Sequence, residues 1–389
     1  MSGTRRHDSG LPAGTPPLTS RHVSTPTRRV LLVSPAYLGS KRRIGFHHLA
    51  RAYQSLGWDV VFVTAPISFL SRLRGDYRFE YPVREEANRL VPVDERLRSF
   101  VLMTGWQPGN LRLPVANRLS SQLFRRYAQT PLGPLAGLLP EADLIVFEGT
   151  AALLLVPRFR ELAPRARIVY RASDDLRRLR VHPLLLAAEA EAVAEVDLTS
   201  VPTREMAAAL ESHGPVQVHS SPVDTAALDR PTPSPYGDGP AAVFAGVTPL
   251  FDYDTLALAA HLVPHVAFHV VGLPPRTMPP NVAFHPELPY DELVPYLQHA
   301  TYGLLFFPPG YPSLGQGNKV VQYSYCRLPI VAPSFFCSDR SNMCVYDVGD
   351  EASLGRALAE AEAMPHAESF AEGIVSAKEL ARILAGEQP

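Results

Sequence analysis

The chain has 389 residues, 46% apolar and 19% charged, a globular balance that excludes wholesale disorder and suits two domains of ordinary size. No stretch approaches the roughly 20 apolar residues of a spanning helix, and residues 1–27 lack the apolar block of a secretory signal, so a soluble cytoplasmic chain with a disordered basic tail is expected. The net charge of −1 conceals 20 Lys and Arg against 8 Asp and Glu in residues 1–130; nucleic acid, an anionic membrane surface and a phosphorylated substrate all suit that asymmetry, membrane or phosphate is favoured, and no nucleic-acid partner is expected.

Residues 28–34, RRVLLVS, read as a first buried strand. A basic loop follows, then GFHHLARAYQSLG at helical spacing, closed by Gly57, and DVVFVTA as a second strand. Residues 66–100 read as irregular and basic, with a strand near 99–103, before the amphipathic helix LPVANRLSSQLFRRYAQ. From ADLIVFEG the alternation is regular: AALLLVPRFREL as helix, ARIVYRASD as strand, 183–195 as helix, VDLTSVP as strand, TREMAAALES as helix and VQVHSSP as strand. Residues 223–240, rich in Pro, Asp and Gly, read as a linker.

A second series follows, with AAVFAGV as strand, 254–262 as helix, VAFHVVG and NVAFHPE as strands, and YDELVPYLQHA as helix. YGLLFFP is then a strand, GYPSLGQG a glycine-rich loop, NKVVQYSYC a helix, LPIVAP a strand and 351–363 a helix; residues 366–389 are left for closing helices. Short buried strands alternating with helices imply parallel sheets, here twice. The expectation is an α/β chain of two Rossmann-like domains, 28–222 and 241–365, whose sheets face a central cleft at their carboxyl ends. No GxGxxG follows the first strand, which argues against a nicotinamide dehydrogenase.

The loop-to-helix segment PSLGQGNKVVQYSYC carries the most chemistry. Gly315 and Gly317 allow close backbone approach, and a helix starting near Asn318 aims its positive end at a phosphate. Lys319 sits in the first turn, where the helix dipole disfavours a structural cation, and it is one of only three lysines. A point charge there suits a diphosphate, and Gln322, one turn on, can reach a ribose hydroxyl. The bland alternative is a solvated surface lysine.

Asp174 and Asp175 follow a parallel strand, where such sheets place their sites. Asp174 is a candidate general base, or else a turn or cap aspartate, and Arg171 nearby could keep it ionised. Glu287 could hold sugar hydroxyls or cap the next helix, and Phe307 could stack on a base or belong to the core. His47 and His48 open the first helix beside Lys41, Arg42 and Arg43, where a packing or phosphate-contacting histidine is the commoner outcome. Cys326, Cys337 and Cys344 suit buried thiols better than disulfides or zinc, and no metal or other cofactor is expected.

Five stretches in this order resemble the xanthan-type, GumK-like glucuronosyltransferases, family 70 of the glycosyltransferases with the GT-B fold: SFLSRLRGDYR (68–78), ADLIVFE (142–148), IVYRASDDL (168–176), PLFD (249–252) and NKVVQYSYCRLPIVAP (318–333). The resemblance implies inverting, metal-independent transfer of glucuronate from UDP-glucuronate to a lipid-linked saccharide in exopolysaccharide or glycolipid biosynthesis. It makes Asp174 the base and assigns Lys319, Gln322, Glu287, Asn318, Gly317, Phe307 and Thr248 to the donor side. Phe307 stands in place of a tyrosine and Asn318 in place of a methionine, while Arg327 replaces a glycine. His47, Arg43, Arg72 and Arg74 fall on the acceptor and membrane side, with a peripheral location on the inner face of the cell membrane. A UDP-hexose transferase and a non-catalytic nucleotide or glycan binder are the alternatives.

Overall fold

The computed structural model describes residues 27–179, 181–309, 317–336 and 338–387. The leading tail, the loop 310–316 with Gly315, and Cys337 therefore lie outside the described residues.

The first sheet collects β1 (Arg29–Ser34), β2 (Asp59–Ser68), β3 (Leu90–Asp94), β4 (Leu97–Thr104), β5 (Leu144–Glu148), β6 (Arg167–Arg171), β7 (Leu198–Val201) and β8 (Val216–Val218). Its order is β3-β4-β2-β1-β5-β6-β7-β8, parallel throughout except for the antiparallel edge pair β3–β4. The central strands have apolar interiors because helices cover both faces, with Ser34 and Glu148 at the carboxyl ends of β1 and β5. Those helices are α1 (Gly45–Ser55), α2 (Pro114–Ala128), α3 (Val156–Leu162), α4 (Pro183–Glu195) and α5 (Arg204–Leu210), with a one-turn α6 (Thr225–Leu228) beyond β8.

The second sheet, in the order β11-β10-β9-β12-β13-β14, is wholly parallel. It is built from β9 (Ala241–Ala245), β10 (Ala267–Val271), β11 (Val282–His285), β12 (Tyr302–Leu304), β13 (Ile330–Pro333) and β14 (Met343–Tyr346). Its helices are α7 (Tyr253–Leu262), α8 (Tyr290–His299), α9 (Asn318–Tyr325) and α10 (Glu351–Ala363).

The chain then returns to the first unit. Leu380, Ala381 and Leu384 of α11 (Ala377–Leu384) are buried in the same cluster as Phe46, Leu49 and Tyr53 of α1, and the Tyr53 hydroxyl donates to the Ala381 carbonyl at 2.8 Å. The chain thus passes twice between the units, and the passes bridge at Val223 and Ser376.

Four local differences from the sequence expectations have physical causes. AALLLVPRFREL is a 3-10 turn over Ala151–Leu155 followed by α3, because Pro157 has no N–H to continue one helix. Residues 66–100 are not irregular throughout: β2 runs on to Ser68 and β3 pairs at the sheet edge, where its Pro92 is tolerated. The linker contains α6, whose amino end is capped by the Asp224 carboxylate accepting from the Ala227 N–H at 3.2 Å. Strand β14, absent from the sequence reading, closes the second sheet.

Candidate active site

The carboxyl ends of both sheets open onto one crevice between the units, walled on one side by Glu148, Ser173 and Asp174 and on the other by Phe307, Gly317, Asn318 and Lys319.

Helix α9 is fixed in place by its buried face. Gly303 lets the Tyr323 ring lie against β12, where any Cβ would stand 2.5 Å from the ring. The Tyr323 hydroxyl accepts from the Ala245 N–H at 3.1 Å and donates to the Val243 carbonyl at 3.3 Å. This anchoring points the first turn of α9 at the crevice. Lys319 then lies across the Gly246 backbone, so closely that a Cβ at 246 would fall 2.7 Å from Nζ. With φ at +151° as well, position 246 suits only glycine. Nζ stands 5.4 Å from the Phe244 ring centroid, and no described residue gives it a hydrogen bond or ion pair. Burial among these groups lowers the Lys319 ammonium to about 8.

Gly317 is the residue before α9, with an ordinary φ of −59° and open space where a Cβ would sit, so its conformation does not demand glycine. Phe307 is buried, stacks at 5.9 Å on Phe336 and still forms part of the crevice wall.

On the opposite wall the two aspartates separate by environment. The Asp175 carboxylate accepts from the Arg177 N–H at 3.0 Å and binds the Arg177 guanidinium at 2.7 and 2.8 Å, which holds it below the usual carboxylate range. Asp175 is the turn aspartate. Asp174 has no ion pair or hydrogen bond among the described residues; it is exposed to the crevice, and the partial desolvation there raises its carboxyl above the ordinary value. Arg171 does not keep Asp174 ionised, contrary to the sequence expectation. Its guanidinium is buried and committed to Ser200 Oγ at 2.8 Å and to the carbonyls of His219 at 3.0 Å and Ser220 at 2.9 Å.

Several expected site residues are not in the crevice wall. His47 is buried: its Nδ1 accepts from the Ile44 N–H at 3.2 Å and its Nε2 donates to the Tyr37 carbonyl at 3.0 Å. Desolvation pushes it down to about 4, so it is a neutral support for the start of α1 rather than an acceptor-side contact. Arg43 reaches the other unit, pairing with Asp291 at 3.5 Å over the Tyr290 ring. Glu287 is engaged by Arg42, which donates from Nε at 2.8 Å and from Nη2 at 3.4 Å. Gln322 is half-buried one turn beyond Lys319, outside the crevice wall, and the Thr248 hydroxyl accepts locally from the Leu250 N–H at 3.1 Å.

Glu148, in the crevice wall, was missed, and so was Arg42, which joins the units through Glu287 outside that wall and gave no signal beyond belonging to a basic run. Glu148 ends a stretch already singled out, yet its burial depends on neighbouring strands. Arg72 and Arg74 are exposed, as the basic reading expects, beside Phe69, Leu70 and Leu73, which are exposed as well.

Among the described residues, no group of three His, Cys, Asp or Glu side chains is placed to hold a metal ion. None of their helices is long and apolar enough to cross a membrane.

Residues 32–202 match the family described as "Glucuronosyltransferase GumK, N-terminal domain". A relative from Xanthomonas campestris pv. campestris, "UDP-glucuronate:glycolipid 2-beta-glucuronosyltransferase", is 28% identical over 342 residues, covering 86% of this chain and 84% of that protein. The first unit of the chain thus resembles the GumK N-terminal domain. Solved structures agree on the architecture: Arabidopsis thaliana UGT89C1 complexed with UDP-L-rhamnose matches with a TM-score of 0.52 at 14% identity over 93% of this chain and 99% of that one. Anabaena Alr3699/HepE in complex with UDP and glucose matches with a TM-score of 0.52 at 14% identity, covering 92% and 95%. The N-terminal domain of Candida albicans trehalose-6-phosphate phosphatase gives a TM-score of 0.60 at 11% identity, covering 92% and 96%. The fold of the chain is GT-B, and the resemblance read from its motifs is borne out by both sequence matches.

Proposed function

We propose that this GumK-like chain is an inverting, metal-independent glycosyltransferase that moves glucuronate from UDP-glucuronate onto a glycolipid, a lipid-linked saccharide of cell-surface polysaccharide or glycolipid assembly. The observation that carries the reading is the pairing of Asp174 and Lys319 on opposite walls of one crevice, each without a charge partner among the described residues.

The acceptor hydroxyl loses its proton to the Asp174 carboxylate while its oxygen forms the new bond to the anomeric carbon. The bond from that carbon to the diphosphate breaks on the opposite face, which inverts the configuration, and UDP departs with the electron pair. Lys319 and the amino end of α9 stabilise the negative charge that develops there. A cation from the protein does the work that a metal ion does elsewhere, which supports transfer without a metal. Desolvation suits both groups to their tasks: it makes Asp174 a stronger base and makes an arriving diphosphate a welcome partner for Lys319.

The glycolipid acceptor calls for a membrane surface, and one face of the first unit has the chemistry for it. Phe69, Leu70 and Leu73 are exposed beside Arg72 and Arg74 on one turn, and Leu113, Val115 and Leu119 are exposed beside Arg112 and Arg118 at the start of α2. Arg74 Nη1 comes within 3.3 Å of where a Cβ on Gly109 would sit, which brings the two segments together. Apolar side chains interleaved with arginine suit peripheral docking on the anionic inner leaflet.

Donor competition tests the reading. Turnover with UDP-glucuronate and none with UDP-glucose is expected; turnover with UDP-glucose alone would replace glucuronate by a hexose.

A further inference from the structure

Glu148 is an anomaly in the crevice wall. It ends the central strand β5, it is 6% exposed, and no guanidinium or ammonium binds it. Its Oε2 accepts from the Ser34 hydroxyl at 2.5 Å, at the end of the adjacent strand β1. Its carboxyl also bonds the Ser173 hydroxyl, on the loop that carries Asp174. The charged groups facing it are the Arg171 guanidinium on β6, which is committed elsewhere, Asp174 on the same loop, and Lys319 across the crevice. A carboxyl buried without a cation is costly, and it survives selection for stability most readily where the site uses it.

We propose that Glu148 is a positioning residue for the transfer reaction: it ties the Asp174 loop to the end of β1 through Ser173 and Ser34, and its charge sets the basicity of Asp174. This inference rests on the assignment of Asp174 as base. Asp174 is exposed to the crevice whereas Glu148 is buried behind it, so desolvation opposes the charged form more strongly at Glu148. Burial, with the neighbouring Asp174 charge adding to it, pushes Glu148 up to about 7. Above that pH a second negative charge stands beside Asp174, so a proton arriving there from the acceptor is held more strongly. Below it Glu148 is neutral, and Asp174 acts with its own basicity alone.

The test is the pH profile of kcat with UDP-glucuronate and a lipid-extract acceptor, for the wild type, Glu148→Gln and Asp174→Asn. Wild-type kcat should rise through a step centred near pH 7, above the acid limb that Asp174 sets. Glu148→Gln should lose that step: kcat falls about threefold at pH 8, the effect of roughly one pKa unit in the base at a Brønsted slope of about one half, and matches the wild type at pH 6, with the donor KM unchanged at both. Glu148→Asp should retain a step. A structural role alone would lower kcat by the same factor at both pH values, and that result overturns the proposal. A wild-type profile flat between pH 6 and 8.5 overturns it without any variant. If Asp174→Asn is inactive while Glu148→Gln shows no pH-dependent loss, only this inference fails. If Asp174→Asn remains active and Glu148→Gln is inactive, Glu148 is itself the base and both readings fall.

Discussion

Replacing Lys319 by Met removes the cation while keeping the side chain's length. In the free protein the ammonium lies over the Gly246 backbone without an anion among the described residues, and burial holds it at about 8 against an ordinary 10.5. Keeping it charged in the fold at pH 7 therefore costs at most on the order of 3 kcal/mol. A diphosphate in the crevice offsets part of that cost, and one charge-assisted contact contributes about 1.5–3 kcal/mol. Isothermal titration calorimetry at pH 7 should find UDP bound roughly 10- to 150-fold more weakly by Lys319→Met. The pH dependence supplies a second signature. Wild-type affinity should fall as pH rises through about 8, because the free protein's ammonium loses its proton there, whereas the affinity of Lys319→Met should stay level. The variant should also be at least as stable as the wild type at pH 7, since a poorly solvated cation has gone. Equal UDP affinity in the two proteins at pH 7 would refute the argument, because the ammonium would then be no part of the diphosphate site.

Two other predictions concern stability and docking. Because the folded-state value of Glu148 is near 7 and the ordinary value is 4.5, the folded protein keeps a proton that the unfolded chain has released across this window, and stability declines as pH rises through it. Glu148→Gln removes that decline, so its stability relative to the wild type should improve by on the order of 3 kcal/mol between pH 4 and pH 8 in chemical denaturation; a constant difference would contradict the burial argument. Leu73→Glu combined with Leu119→Glu should abolish salt-sensitive co-sedimentation with anionic liposomes while leaving UDP affinity unchanged, whereas undiminished sedimentation would move the docking face elsewhere.

What the sequence revealed follows from where its signals are local. The strands β1, β2, β5 and β9 are buried on both faces, so each is a continuous apolar run, and the helices between them carry their own periodicity. Helix α9 and Lys319 were legible because a cation in a first helical turn contradicts the dipole. Strands β3 and β14 were not: both lie at sheet edges and are only four or five residues long, Pro92 interrupts β3, and four apolar residues at β14 are too few to separate a strand from a loop. The Arg42–Glu287 pair joins residues 245 positions apart, and no local pattern encodes it. His47 looked like a charged-site candidate among basic neighbours, but its bonds to Ile44 and Tyr37 depend on how the preceding loop folds back. Between the two adjacent aspartates, the decision came from Arg177, which claims Asp175 and leaves Asp174 to the crevice.

The most direct test of the account is turnover by Asp174→Asn measured beside its UDP affinity. Loss of a general base should lower kcat by roughly 100- to 10,000-fold while calorimetry finds UDP bound as in the wild type. A variant that transfers sugar within a few-fold of the wild-type rate would contradict it.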